Sequence, residues 1–402
     1  MLFRDVIGQK EIIRRLIHTV EENRISHAQM LLGPAGTGNM ALALAYAQFI
    51  NCRNKIDLDD QTYGFHKDSC GECPSCRKIQ HLSHPDLHFI FPLPADLRKA
   101  KKERNANDLI YEPWRNLIHE TEGYFSLDNL HNKYNLKGKQ TLISADDCNE
   151  IIQKVSLHSY EGGYKVVIIW MPEKLFYSAA PKILKTLEEP PDKTLFLLVA
   201  EHQDMILNTI LSRTQIIQVP RLNNDDIQQA IIRRGHASEE TAEAATMLAD
   251  GSYSLAMQYA ADTEWFEENL QQFIAMTRLS FELHKKFELE KMQKTLKWVT
   301  DISQQGREYQ KNFLSYALRL FREAMLESWN SAEMTRMNQQ EQTFMDNFYR
   351  VINHANILNI IDELEKDLYA IERNGNPNLI FLDLCFFLNR ELRRGYKALT
   401  AG

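Results

Sequence analysis

A short apolar run, AQMLLG (28–33), leads straight into the glycine-spaced segment GPAGTG (33–38) and on into MALALAYAQFIN (40–51). A buried strand, a glycine loop and a helix in that order predict an α/β unit with a parallel sheet, the loop sitting where a helix N-terminus can meet a phosphate. Gly33 and Gly38, with Gly36 between them, satisfy the spacing of G-x-x-x-x-G-K-[ST]. Asn39 and Met40 stand where that pattern has Lys and Ser or Thr. The shape of a phosphate loop is therefore present without the two side chains that hold the γ-phosphate and Mg²⁺.

The surrounding sequence extends the same architecture. QKEIIRRLIHTVEEN places Ile12, Leu16, Ile17 and Val20 on one helical face. YKVVIIWM, TLFLLVA and TQIIQV read as buried parallel strands, with the helical SAAPKILKTLEE before the second of these. Residues 93–140 interrupt this order with a polar stretch too weakly periodic to form a core element, and we read them as an insertion. Its run RKAKKER (98–104) is expected to be a solvated face rather than a DNA contact. Strands cease after Pro220. NDDIQQAIIRRG and SEETAEAATMLADGSYSLAMQYA predict a small helical unit, and long amphipathic helices follow from about residue 263. One carries the stripe Phe313, Ala317, Leu320, Phe321, Ala324; another carries Ile357, Ile361, Leu364, Leu368, Ile371 and stops at NGNP.

Four of the six cysteines cluster: CGECPSC supplies Cys70, Cys73 and Cys76, and Cys52 lies upstream, while Cys148 and Cys385 stand alone. Three sulfurs on a tight turn closed by a distant fourth suit structural Zn²⁺, with no position open for water. His66, His81 and His84 are near enough to replace Cys52 as the fourth ligand. At a net charge of −7 the surface as a whole does not attract nucleic acid. The apolar runs fall short of the roughly 18 residues of a membrane span, and the N-terminus has no signal-peptide pattern, so a cytoplasmic protein without membrane contact is expected.

DVIGQKEIIRRL, HAQMLLGPAGTG, the cysteine module after the loop helix, ILKTLEEPP and TILSRTQIIQV, in that order, resemble the AAA+ subunits of the bacterial DNA polymerase III clamp loader. The resemblance covers most of residues 1–260. It implies an AAA+ core over 1–220 with a zinc module (about 52–76) and the insertion (about 93–140), a helical lid over 221–262, and a helical collar over 263–402. It also implies assembly with the tau/gamma motor subunits and the clamp-opening delta subunit, and contact with the sliding clamp and primer-template DNA through the complex.

That family contains ATP-hydrolysing motors and a silent member, delta prime. Aligned without a gap, the motors' Asp-Glu pair falls on Trp170 and Met171, the polar sensor on Ala200 or Glu201, and the lid's sensor arginine on Ser254. Together with Asn39 and Met40 these losses imply the silent member: a component of the polymerase holoenzyme with no ATPase of its own, in which physiological ATP binding is not expected. LSR retains Ser212 and Arg213, from which the family inserts an arginine into a neighbour's ATP site, although Thr214 replaces a frequent Cys. The competing readings are a motor subunit of the same loader and a zinc-containing DNA-binding protein outside replication.

Overall fold

The computed structural model describes residues 1–101, 106–136, 139–176, 179–261, 263–283, 289–329, 335, 337 and 339–401. They form two compact units, Met1–Gln258 and Tyr259–Gly402. The first is built on five parallel strands, β1 (Ala28–Leu32), β2 (Leu87–Ile90), β3 (Lys165–Trp170), β4 (Thr194–Ala200) and β5 (Gln215–Gln218), in the order β2-β3-β4-β1-β5. Leu31 pairs with Val199 of β4 on one side and Ile217 of β5 on the other, so β1 is a central strand. Central parallel strands are covered on both faces, which is why β3 and β4 read as unbroken apolar runs and are buried throughout.

In chain order the helices around this sheet are α1 (Lys10–Glu21), α2 (Asn39–Asn51), α3 (Pro74–Gln80), α4 (Glu112–Thr121), α5 (Ala145–Ser156) and α6 (Ala180–Glu188). They are followed by α7 (Asn224–Arg233), α8 (Glu239–Leu248) and α9 (Tyr253–Ala261). Helix α2 is buried from Asn39 to Phe49, and its apolar residues run all around it as burial on every side demands. Helices α5 and α6 cover the sheet through Ile151, Val155, Ile183 and Leu187, which join Met30, Val167, Phe196 and Leu198 in one core. In α1 the buried residues are Ile13, Leu16 and Ile17; Ile13, one position along from the Ile12 of the sequence reading, is the one that faces inward.

The insertion departs from expectation. It forms helices at Ala95–Ala100, α4 and Leu127–Lys133, and buries Trp114, Leu117, Ile118, Tyr124, Phe125 and Leu130. The described residues of 93–140 thus contribute to the core through a few large side chains rather than through a long periodic stripe. From the basic run, Lys101 Nζ reaches Asp147 at 2.5 Å, while residues 102–104 lie outside the described residues.

The second unit contains α10 (Thr263–Glu282), α11 (Leu289–Ser303), α12 (Arg307–Ser328), α13 (Gln339–Phe348), α14 (Ile357–Glu372) and α15 (Pro377–Ala401). The stripe at 313, 317, 320, 321 and 324 is fully buried and packs with Phe273, Leu364 and Phe381. Helix α14 ends where Asn374 turns left-handed (φ 67°) and Gly375 N–H returns to the Ala370 carbonyl at 2.8 Å, with Pro377 opening α15.

Within this unit, burial pushes the Asp367 carboxyl up to about 7, helped by Glu363 and by Asp383 of α15 against the opposing charge of Lys366. Its folded pKa lies above the unfolded value, so the folded state holds the proton more tightly; the stabilisation this brings is complete at acid pH and is lost as pH rises through 7. Asp367→Asn should remove on the order of 2 kcal/mol of pH dependence between pH 5 and 8, read from thermal melts of the full chain. A variant that keeps the wild-type slope would show that Asp367 does not titrate there.

No helix among the described residues is long and apolar enough to cross a membrane.

Candidate functional site

Strand β1 delivers the chain to the glycine loop beside the ends of β4 and β5. Gly33 N–H donates to the Ala200 carbonyl at 3.1 Å, and Val219 N–H to the Leu32 carbonyl at 2.7 Å. A Cβ on Gly33 would sit 2.2 Å from the Val219 carbonyl oxygen. That close approach requires glycine whether or not a phosphate binds. Asn39, at the Lys position, is buried and folds back into the loop: its amide nitrogen donates to the Gly33 carbonyl at 2.6 Å, and its amide oxygen accepts from the Thr37 hydroxyl at 3.0 Å. Met40 is 3% exposed. The loop is therefore tied by its own side chains. Ser252 Oγ donates to the Ala35 carbonyl at 2.9 Å, Tyr253 N–H donates to the Gly36 carbonyl at 2.9 Å, and Ser254 Oγ lies 3.2 Å from Ser252 Oγ. Ser254 thus stands at the loop, and a short hydroxyl is all it offers there.

At the end of β3, Trp170 is 2% exposed and packs against Phe125 (ring centroids 4.9 Å) and Trp114 (5.5 Å); Trp114 in turn stacks on Phe91 at 4.0 Å. Met171 turns left-handed (φ 57°) and is also buried. Neither can hold Mg²⁺ or polarise water. Ala200 presents only its carbonyl, to Gly33 and Asn39. Glu201 and His202 donate their backbone N–H groups to the Glu173 carboxylate.

Arg213 lies elsewhere, in the turn between the short helix Asn208–Leu211 and β5. Its Nε pairs with Glu188, and its Nη1 donates to the Thr209 carbonyl at 3.0 Å and to Ser212 Oγ at 3.1 Å. The side chain remains 34% exposed. Ser212 and Glu188 therefore hold the base of a guanidinium that solvent can still reach.

The sulfurs of Cys52, Cys70, Cys73 and Cys76 all lie within 4.8 Å of one another, the densest such group of metal-ligating atoms among the described residues. Cys52 to Cys70 is 3.6 Å and Cys70 to Cys76 is 3.9 Å. These spacings are too long for a disulfide, and they bracket the edge of about 3.8 Å that a tetrahedron with metal–sulfur bonds of about 2.3 Å requires. The Cys52 and Cys70 sulfurs also accept the backbone N–H groups of Cys70 and Cys73, both at 3.4 Å. Hydrogen bonding from Cys76 draws the Cys52 thiol down to about 5, and the same bond pushes Cys76 up, so the group favours a thiolate, the ligand form. The cluster can hold a metal ion. Two of the alternative ligands are engaged away from it: His66 faces Glu21 at 3.2 Å and His84 faces Ser75 at 3.1 Å. Cys52 follows the last residue of α2, a 13-residue helix that separates the cluster from the glycine loop by about 20 Å.

Sequence reasoning missed the residues that the insertion brings to the site, namely Tyr124 at the glycine loop and Trp114 and Phe125 against Trp170. The spacing of Trp114, Leu117 and Ile118 within YEPWRNLIHE was the available signal.

A family model described as DNA polymerase III, delta subunit, matches residues 8–223. Relatives include DNA polymerase III subunit delta′ of Yersinia pestis, 30% identical over 202 residues, covering 50% of this chain and 43% of the relative. Subunit delta′ of Haemophilus influenzae is 29% identical over 205 residues, 51% of this chain and 46% of that protein. Subunit tau of Bacillus subtilis is 26% identical over 232 residues, 58% of this chain and 31% of that protein. The chain spans about half the length of the two delta′ relatives, and less of the tau subunit.

Proposed function

The chain belongs to the DNA polymerase III, delta subunit, family, and from that premise we propose that it is the catalytically silent AAA+ subunit, delta prime, of a clamp loader. In this reading 1–220 is the core, 221–262 the lid and 263–402 a collar that joins the tau/gamma motors and the clamp-opening delta subunit. The assembled complex would load the sliding clamp on primer-template DNA in the cytoplasm. The observation that carries the proposal is the state of the loop. Asn39 is spent on the Gly33 carbonyl, and Trp170 is packed among aromatic rings where phosphoryl transfer needs a carboxylate on Mg²⁺. Arg213 would act in trans on a neighbouring motor's ATP. The four cysteines would hold Zn²⁺, which supplies a cross-link rather than chemistry, since four sulfurs leave no open position.

The isolated chain should release no phosphate from Mg·ATP above the blank, and Asn39→Lys alone should not restore turnover, because Trp170 and Met171 still leave the metal and the water unsupported. Wild-type hydrolysis that substitutions in residues 33–40 abolish would make this a motor subunit instead. Co-purification with the motor and delta subunits tests the assembly.

A further inference from the structure

The corner that follows α4, Glu122–Tyr124, meets four segments that are remote from one another in sequence. The Tyr124 hydroxyl accepts the Ile7 N–H at 2.8 Å. Its ring lies against the glycine loop, where a methyl added at Gly38 would come 3.0 Å from it. The same ring meets Tyr253 of α9 edge to face at 5.0 Å. Glu122 pairs with Arg234, just after α7, at 2.5 Å, and Arg234 lies over the Tyr253 ring at 5.2 Å. Gly123 adopts φ +78°, which brings the corner down on the start of α2, so that a Cβ there would be 3.0 Å from the Ala41 nitrogen. Tyr124 is buried, and burial pushes its phenol up, so the ring stays neutral. A cavity of about 740 Å³ opens beside the corner between Ile7, Glu122 and Arg234, and its lining includes none of residues 33–40.

A phosphate cradled by this loop would need the ground in front of the backbone N–H groups at the start of α2. The corner packs on Gly38 and Ala41 at that helix start and at the same time meets Arg234, just after α7, and Tyr253 of α9. We infer that Glu122–Tyr124 is an internal clasp: it occupies the approach to the glycine loop and ties α7 and α9 to the core in one orientation, making this unit's conformation independent of nucleotide. The inference rests on reading residues 33–40 as a disused nucleotide loop, and it gives the insertion a task, that of permanent occupant. The tie is local, so its loss should loosen the loop and the helices it holds while leaving the sheet closed.

Hydrogen exchange on the full chain, with and without millimolar Mg·ATP, tests it. In the wild type, peptides covering 33–40, 224–233 and 253–258 should exchange at the same rates in both conditions. Tyr124→Ala should speed exchange of 33–40 and 253–258 by about tenfold or more while β3 and β4 keep their protection, and Tyr124→Phe, which keeps the ring, should stay near wild type. If Tyr124→Ala does not fold, Glu122→Gln carries the test: it should speed exchange of 224–233 severalfold. Wild-type exchange rates in the variants overturn the clasp. So does protection of residues 33–40 by nucleotide without turnover, which leaves the silent-subunit reading standing. Turnover by the wild type sinks both.

Discussion

Cys73→Ser should lower bound metal from about one ion per chain to a small fraction of that and reduce the thermal midpoint of the chain by about 10 °C. The size follows from what a structural ion does. Zinc bound by four cysteines contributes on the order of 10 kcal/mol to small domains that fold around it, and losing one of four ligands forfeits a good part of this. Here the ion would close the chain from Cys52 to Cys70, a segment whose only sheet is the two-stranded pairing of Ile56–Asp57 with Lys67–Asp68. So small a pairing cannot stand alone in water. The module is also where the N-terminal segment docks, because Asp68 accepts the N–H groups of Phe3 at 3.1 Å and Arg4 at 3.2 Å. Serine is the informative replacement. Cys73 is the N-cap of α3, and serine caps helices well, so the variant removes a metal ligand without removing a cap. Metal content by atomic spectroscopy and the melt should fall together, and a chelator should lower the wild type to the level of the variant. A wild-type preparation free of metal and fully stable would remove the claim, and cobalt substitution giving tetrahedral thiolate absorption would support it.

Arg213→Ala should slow ATP hydrolysis at the single motor site facing it by about a thousand-fold while leaving folding and metal content unchanged. A guanidinium placed against the γ-phosphate stabilises charge that develops only as phosphoryl transfer proceeds, so the effect belongs to the assembled loader and to kcat. Total turnover should fall only in part, because the other sites rely on other neighbours, and clamp loading, which couples the sites, should fall further. The pair with Glu188 does not oppose this role. Both partners are partly exposed (34% and 45%), and such pairs are worth about 1 kcal/mol or less, so a phosphate can replace the carboxylate at little cost. The same weakness makes the alanine variant harmless to the fold. Arg213→Lys should rescue poorly, since an ammonium keeps the charge but loses the planar fork. Wild-type hydrolysis and loading by the reconstituted alanine variant would reduce this subunit to a scaffold.

The parallel strands and the second unit's helical stripes were legible because each records its burial in a run or a period: Val166–Trp170 and Leu195–Ala200 are continuous, and Phe313 to Ala324 repeats every three to four residues. The cysteine group was legible from spacing, because the three sulfurs of CGECPSC lie on one turn and cannot be far apart. Cys52 was the weak member. Its distance from the others is set by the length and direction of α2, which is a property of packing rather than of local sequence.

By itself, then, the sequence determined that the loop pattern lacks its Lys and that KVVIIWM ends without an Asp-Glu pair, since a side chain missing from the sequence is missing in any fold. It could not determine what stands in their place. Asn39 bound to Gly33, Trp170 among Trp114 and Phe125, and Tyr124 against Gly38 are pairings across 6, 45 to 56, and 86 residues. Apart from Trp114, whose spacing with Leu117 and Ile118 marks a helical face, the residues that meet at the longer of these separations leave no periodic mark, and only the closing of the sheet and its covering helices brings them together.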